Sequence, residues 1–107
     1  MEGYIVTYKD NLTSKEITEI NYALFGKVLS KASKKYYYTG LFDTVLYLRL
    51  GNGCYFIVTK DKDIINYLNN HLHLIIIKAV LNIKPSVLHT ARSIKQTKYK
   101  NIYVKNL

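Results

Sequence analysis

The sequence has no acidic side chains in its C-terminal part. Asp63 is the last carboxylate side chain, and the 44 residues that follow it carry seven lysine and arginine side chains. The first 63 residues carry nine basic and seven acidic side chains, so most of the net charge of +9 belongs to the C-terminal part. Concentrated positive charge releases counterions when it meets a phosphate backbone, so this asymmetry indicates a nucleic acid as partner. A solubilising charged tail is the alternative.

Cysteines and long apolar runs are scarce, and each scarcity excludes a class of protein. The one cysteine, Cys54, excludes a disulfide framework within the chain and any zinc site built on several cysteines. The chain does not open on a basic flank followed by a long apolar run, so no signal peptide is expected. The longest aliphatic run, at 74–77, stops at Lys78 and is too short to span a membrane. We therefore expect a cytoplasmic protein with no membrane partner.

Length and composition predict one folded domain. The chain has 107 residues, of which 49% are hydrophobic, and this suffices for one packed core but not for two domains. No repeat, linker or low-complexity segment divides it. We expect a single domain over 1–107 with a basic tail from about residue 91.

Two helices are predicted from apolar residues at helical spacing. The first begins at a capping box formed by Thr13 and Glu16, and its apolar stripe predicts a helix over about 13–32. Acidic residues at 61–63 favour the start of the second helix through capping and the helix dipole. A β-branched run at 75–77 leaves the end of that helix open.

A β-hairpin is predicted in the middle of the chain. Residues 41–50 alternate between two faces, with Phe42 and Leu46 on the same face. The glycine-rich turn at 51–53 then joins this strand to a second one at 54–59.

The complete order of elements predicts the fold. A β-rich run at 4–8 forms the first strand, and a last strand is expected around 83–90. Pro85 makes the latter an edge strand or one with an irregular start, and 101–104 could form another short strand. The order strand, helix, strand, strand, helix, strand predicts an α+β fold of the ferredoxin-like, or RRM-like, βαββαβ type. In this fold two helices cover one face of an antiparallel sheet.

Candidates for catalysis or metal binding are few. His71 and His73 are two residues apart, which places them on different faces of a helix, and His89 stands alone. These three side chains lack an obvious fourth metal ligand. Cys54 lies in an apolar strand, where a buried and inert thiol is expected. We therefore expect no cofactor bound by the protein and no catalytic activity of the chain alone.

Tyrosine is the main aromatic residue, because the chain has eleven tyrosines and no tryptophan. The densest cluster, at 36–38, follows Lys34 and Lys35, and tyrosine rings stack on bases. The cluster is either part of an RNA surface or an ordinary connection between elements. The aromatic run at 53–58 is weakly similar to the base-stacking strand of RNA-recognition modules, but it lacks their basic-glycine-aromatic-glycine order.

The C-terminal half carries a more specific likeness. A polar segment at 59–63 enters the helix, and HLHLI at 71–75 stands at its end. ARSIK stands at 91–95, and KYK follows it at 98–100 within the basic tail. In this order, the stretch 61–100 resembles the C-terminal half of archaeal ribonuclease P protein component 2, a family of small Pop/Rpp-type subunits. The residue pair Ala-Arg replaces the Ser-Gly of the family motif, and a serine stands for its threonine.

The resemblance implies a noncatalytic protein subunit of ribonuclease P, the RNA-based endonuclease that removes the 5′ leader from precursor tRNA. The RNA would supply the catalytic centre and its magnesium. The implied partners are the catalytic RNA, a larger TIM-barrel-like subunit and a second copy of the chain within a heteromeric complex. The residues expected to contact RNA, chiefly its phosphates, are Arg92, Ser93, Lys95, Lys98 and Lys100 of the tail, together with Lys34 and Lys35.

Two other functions fit the same residues. A stand-alone small nucleic-acid-binding protein would share the basic tail, whereas a ferredoxin-like regulatory or oligomerisation domain would not need it. An enzyme acting through a histidine ranks last, because no converging set of titratable groups is visible.

Overall fold

The computed structural model describes residues 1–71, 73–90 and 103–105 of the chain. Over these residues the chain is a mixed α+β structure with two α-helices, seven β-strands and two short 3-10 turns. The helices are α1 (Ser14–Phe25) and α2 (Lys62–His71), and the 3-10 turns lie at Leu41–Asp43 and Pro85–Val87. The strands are β1 (Glu2–Tyr8), β2 (Lys27–Lys31), β3 (Lys34–Tyr38), β4 (Leu46–Gly51), β5 (Cys54–Val58), β6 (Leu74–Val80) and β7 (Tyr103–Lys105).

The strands form two separate sheets. The larger is antiparallel and has the order β4-β5-β1-β6. Its central strand is β1, where Val6 lies opposite Tyr55 of β5 on one side and Ile76 of β6 on the other. The smaller sheet has the order β2-β3-β7, in which β2 and β3 form an antiparallel hairpin and β7 runs parallel to β3.

The core lies between the four-stranded sheet and the helices. Side chains alternate along a strand, so Val6 of β1 and Ile57 of β5 project from the same face. Ile20 and Leu24 of α1 and Leu68 of α2 reach the same buried cluster. Both helices therefore pack on one face of the sheet. Each such buried side chain contributes about 1.5–3 kcal/mol relative to an exposed one.

The starts of both helices agree with the prediction. The backbone N–H of Glu16 donates to Oγ1 of Thr13 at 3.1 Å, and the N–H of Thr13 donates to Oε1 of Glu16 at 3.0 Å. This is the predicted capping box. At α2, Oδ1 of Asp61 accepts a hydrogen bond from the N–H of Asp63 at 2.9 Å, just where acidic residues favour a helix N-terminus.

The end of α1 differs from the prediction. The helix stops at Gly26 instead of continuing to about residue 32. Gly26 has a φ of 80°, and a Cβ at this position would lie 2.2 Å from the carbonyl oxygen of Tyr38. Only glycine fits this left-handed conformation and close approach. The chain therefore leaves the helix and enters β2, so Val28 belongs to a strand and not to the helical stripe.

The β4–β5 hairpin forms around the predicted turn, but β4 begins at Leu46 and not at residue 41. The preceding 3-10 turn interrupts the two-residue alternation. As a result Phe42 is fully buried in the core, whereas Leu46 is 44% exposed on the opposite face of the sheet. The prediction that these two side chains share one face was wrong.

The fourth strand of the large sheet is Leu74–Val80, and the prediction of a strand at 83–90 was wrong. The β-branched residues of β6 pair along the whole strand with β1. In the predicted segment, Pro85–Val87 forms a 3-10 turn because proline lacks the N–H that a strand ladder needs. The only described pairing of this segment with the sheet is the bridge between His89 and Tyr47.

Candidate nucleic-acid interface

The β2–β3 hairpin presents one face that combines lysine with tyrosine. Directly opposite residues of an antiparallel pair project to the same side. The register places Lys27 opposite Tyr38 and Lys31 opposite Lys34. Tyr37 alternates with these residues and is fully buried, so it marks the inward side of the hairpin. We name the outward side the lysine–tyrosine face; it consists of Lys27, Leu29, Lys31, Lys34, Tyr36 and Tyr38.

The charge of this face has one sign. The segment 27–38 contains four lysines and no acidic residue. Lys31 and Lys34 are exposed and lie directly opposite each other, and like charges in such a position repel. At the other end of the hairpin, Nζ of Lys27 lies 4.9 Å from the centroid of the Tyr22 ring. The face therefore carries positive charge at both ends of the hairpin.

The hairpin closes in an unusual two-residue turn. Ala32 and Ser33 have φ values of 50° and 64°, both in the left-handed region. Turns of this kind match the twist of paired strands, but they are usually built from Asn-Gly. Each non-glycine residue in this conformation costs roughly 1 kcal/mol. The usual turn signal is therefore missing from the sequence.

A buried tyrosine fastens the hairpin to the rest of the molecule. The hydroxyl oxygen of Tyr37 lies 2.6 Å from the carbonyl oxygen of Phe25 and 2.6 Å from Oδ1 of Asp43. The other carboxylate oxygen of Asp43 accepts the N–H of Gly40 at 2.6 Å. Asp43 is only 7% exposed, so these hydrogen bonds replace the water that its carboxylate would otherwise need. The arrangement joins β3 to the end of α1 and to the first 3-10 turn.

The C-terminal strand brings the basic tail beside the hairpin. The backbone of β7 pairs in parallel with β3, and Tyr103 lies opposite Tyr36. Lys98 and Lys100 come shortly before β7 in the sequence. Within β7, the backbone of Lys105 lies opposite that of Tyr38. The strand therefore brings the backbone of the C-terminal segment to the edge of the hairpin.

Two of the predicted RNA-contacting residues lie on this hairpin. Lys34 belongs to the lysine–tyrosine face, whereas Lys35 alternates to the other side. Lys27 and Lys31 were not predicted as RNA contacts, because the predicted helix extended through them. Glycine is typical of the ends of helices, so Gly26 was the signal that the helix stops before these two lysines. The remaining predicted contacts lie outside the described residues: Arg92, Ser93, Lys95, Lys98 and Lys100.

The four-stranded sheet does not offer the stacking rings that the aromatic run at 53–58 suggested. Tyr55 faces the helices and is 8% exposed, and Phe56 is fully buried. Tyr4 and Tyr8 of β1 pack against the core on the helix side. Stacking on nucleobases needs exposed rings, and Tyr55 and Phe56 of this run do not provide them. Tyr4 and Tyr8 are half-buried, as are Tyr36 and Tyr38 of the hairpin.

His73 and His89 each contact a side chain of another part of the fold. Nε2 of His73 lies 2.9 Å from Oε2 of Glu16, and the ring of His89 meets that of Tyr47 edge-on at 4.6 Å between centroids. The backbone N–H of Thr13, with smaller effects of its hydroxyl and of His73, lowers the pKa of Glu16. In the described part of the chain, no three His, Cys, Asp or Glu side chains come together as metal ligands.

Comparison of the chain with protein-family models, curated proteins and solved structures finds no match. Within the described residues, no helix has both the length and the apolar character needed to cross a membrane. The chemistry of the hairpin is therefore the basis for a proposed function.

Proposed function

We propose that this protein is a noncatalytic RNA-binding subunit that holds RNA on the lysine–tyrosine face and on the basic C-terminal segment. The observation that carries the proposal is the register of the β2–β3 hairpin, which brings three lysines and two tyrosines to one outward side. Lysine neutralises phosphate and tyrosine stacks on unpaired bases, so both parts of a nucleotide meet a suitable group.

The composition of this face indicates which kind of RNA it would bind. Lysine is a point charge on a flexible stem, and contacts from lysine to phosphate position a nucleic acid without reading its sequence. Stacking on tyrosine requires bases that are splayed out of a duplex, as in loops, bulges and ends. A structured RNA with single-stranded regions therefore suits the face better than a continuous duplex.

In the specific form of the proposal, this RNA is the catalytic RNA of ribonuclease P. It is supported by the resemblance of 61–100 to archaeal ribonuclease P protein component 2. The strand order β4-β5-β1-β6 is the order expected of a split βαββαβ chain, so we assign a ferredoxin-like arrangement with the β2–β3 hairpin inserted after the first helix. Magnesium would then belong to the RNA, a larger TIM-barrel-like subunit would be the protein partner, and the cytoplasm would be the compartment.

The salt dependence of binding tests the RNA site. Each phosphate contact to a single strand adds about 0.7 to the slope of log affinity against log salt. Replacing both Lys31 and Lys34 by Ala is therefore expected to weaken binding and to lower the slope by about 1.4. The matched control replaces Lys60 and Lys62, two exposed lysines near the start of α2, and keeps the same net charge. Equal losses in both variants would show that binding follows total charge and not this face.

The identity of the RNA is tested by recovering the tagged chain from its native cells and sequencing what is bound. One abundant structured RNA, recovered with a TIM-barrel-like protein, would support the ribonuclease P form. Recovery of many unrelated RNAs without a protein partner would contradict the ribonuclease P form and indicate a stand-alone nucleic-acid-binding protein. Recovery of no RNA would contradict both and favour a ferredoxin-like regulatory or oligomerisation domain.

A further inference from the structure

A cleft of about 570 Å³ lies between α1 and the turn that joins β4 to β5. The register places Arg49 opposite Tyr55, whose buried ring faces the helices, so Arg49 stands on the helix side of the sheet. Ile17 and Asn21, four residues apart on one face of α1, line the cleft from the helix. We name this cavity, which Tyr8 also lines, the turn cleft. Pockets for small organic ligands measure about 300–1,000 Å³, so the turn cleft has room for one.

Tyr8 holds the walls of the turn cleft together. Its backbone N–H donates to the carbonyl oxygen of Gly53 in the turn at 2.8 Å. Its side-chain hydroxyl donates to Oδ1 of Asn21 on α1. Gly53 has a φ of 66°, and a Cβ there would lie 3.0 Å from the ring of Tyr8, so the turn packs directly on this ring. The protein's own contacts therefore fix the shape of the cleft, which reduces the cost of ordering it around a ligand.

The polar groups of the turn cleft are mainly donors. The guanidinium of Arg49 can only donate, and it donates to Oδ1 of Asn52, which leaves the NH2 group of this amide for a ligand. The hydroxyl of Tyr8 occupies Oδ1 of Asn21 in the same way. Burial raises the pKa of Tyr8, so this hydroxyl stays a neutral donor. Arg49 keeps most of its N–H groups, and a ligand of the cleft therefore has to supply acceptors.

Positive charge predominates at the rim of the turn cleft. Arg49 and Lys9 are exposed, and Asp10 is the only carboxylate among the residues that line the cleft. In the part of the chain that the structure describes, neither cation forms an ion pair with a carboxylate. The planar fork of arginine suits phosphate, and Ile17, which is 38% exposed, adds an apolar surface beside it. The suitable ligand therefore has an anionic group, further acceptors and a partly apolar body.

A nucleotide combines these properties, because its phosphate is anionic and its base presents ring-nitrogen and carbonyl acceptors on an apolar ring. We propose that the turn cleft binds one nucleotide, with its phosphate at Arg49 and Lys9. The acceptors of its base then face the amide groups of Asn21 and Asn52. A free nucleoside monophosphate and an unpaired nucleotide of an RNA chain carry the same groups. The proposal does not rest on the lysine–tyrosine face, which belongs to the other sheet.

Nuclear magnetic resonance titration of the full chain tests this proposal. Adenosine and uridine monophosphate are expected to shift the amide signals of 8–10, 17–21 and 49–53, whereas inorganic phosphate at the same concentration shifts them far less. Arg49→Gln is expected to weaken binding about tenfold, because it removes a charge-assisted contact. The matched control, Lys15→Gln, removes the same charge from an exposed position on α1 outside the cleft and leaves the affinity unchanged.

A short single-stranded RNA, titrated in parallel, identifies the source of the nucleotide. Saturation by a monophosphate assigns the cleft to free nucleotides, whereas shifts with the RNA alone assign it to an unpaired nucleotide of a chain. Replacing Lys31 and Lys34 by Ala is expected to leave the cleft signals responsive, which separates this site from the lysine–tyrosine face. Three results would overturn the proposal: no shift at the cleft with either probe, equal shifts with inorganic phosphate, or equal weakening by Arg49→Gln and Lys15→Gln.

Discussion

The two sheets of this molecule are built for different surroundings. The four-stranded sheet packs one face under the helices, and the other face is uncharged along its regular strands. The β2–β3 hairpin has lysine and tyrosine on its outward side, and the buried ring of Tyr37 marks its inward side. The chain therefore separates the region that stabilises the fold from the region that carries charge. If this division is correct, stability and RNA binding can be changed independently.

The largest expected effect is the loss of a core ring. Phe42 is fully buried and its ring lies 4.9 Å from that of Tyr47 and 5.2 Å from that of Phe25, between centroids. Phe42→Ala is expected to lower the free energy of unfolding by about 3–5 kcal/mol. Urea denaturation followed by circular dichroism measures this loss. RNA affinity of the folded variant should stay unchanged.

A matched truncation on the hairpin provides the contrast. Leu29 on the lysine–tyrosine face is 39% exposed, and Leu29→Ala is expected to change stability by less than about 0.5 kcal/mol. Similar losses from Phe42→Ala and Leu29→Ala would show that the hairpin contributes to the core as much as the large sheet does.

High pH is expected to destabilise the four-stranded region. Burial, with Tyr55 and Asp43 nearby, raises the pKa of Tyr47 from 10.0 to about 12. The folded state thus favours the neutral phenol of Tyr47. The contribution of this group to the free energy of unfolding is fully present below pH 10 and is lost as the pH rises to about 12. The loss amounts to at most about 2.7 kcal/mol. Denaturation midpoints across this range measure it, and Tyr47→Phe should flatten the dependence. An identical fall in that variant would assign the effect to other groups.

A smaller and local effect is expected at the anchor of the hairpin. Tyr37→Phe removes the hydroxyl that contacts Phe25 and Asp43, and it is expected to cost about 1–2 kcal/mol. Hydrogen exchange should become faster in β2 and β3 but not in β1 and β5. Tyr38→Phe removes the same atom from the outward side and serves as the control. Equal acceleration in both sheets would show that they unfold as one unit.

Local signals account for the parts of the fold that were predicted from the sequence. The capping box of Thr13 and Glu16 and the glycine-rich turn at 51–53 depend on residues close together in the chain, and both form as expected. The β-branched residues of β6 were ambiguous, because their strand is defined only by pairing with β1 more than sixty residues away. Pairing with β1 therefore decides that this segment is a strand, which the residue propensities alone left open.

The candidate site was harder to predict than the fold. The turn at Ala32 and Ser33 adopts a left-handed conformation without the residues that usually signal it. Val28 also continued the helical spacing of α1, so the strand in which Lys31 lies was assigned to a helix. Of the two predicted contacts that lie within the described residues, Lys34 is on the lysine–tyrosine face and Lys35 is not. The cause is that pairing across the hairpin, and not spacing along one segment, brings its lysines and tyrosines together.

The central claim is that RNA lies on the lysine–tyrosine face. Ultraviolet crosslinking of the chain in its native cells, followed by mass spectrometry of nucleotide-bearing peptides, tests it most directly. The account predicts crosslinks in peptides that cover 27–38, with further crosslinks in the basic segment from residue 91. Absence of RNA, or crosslinks confined to the helices and the four-stranded sheet, would contradict it.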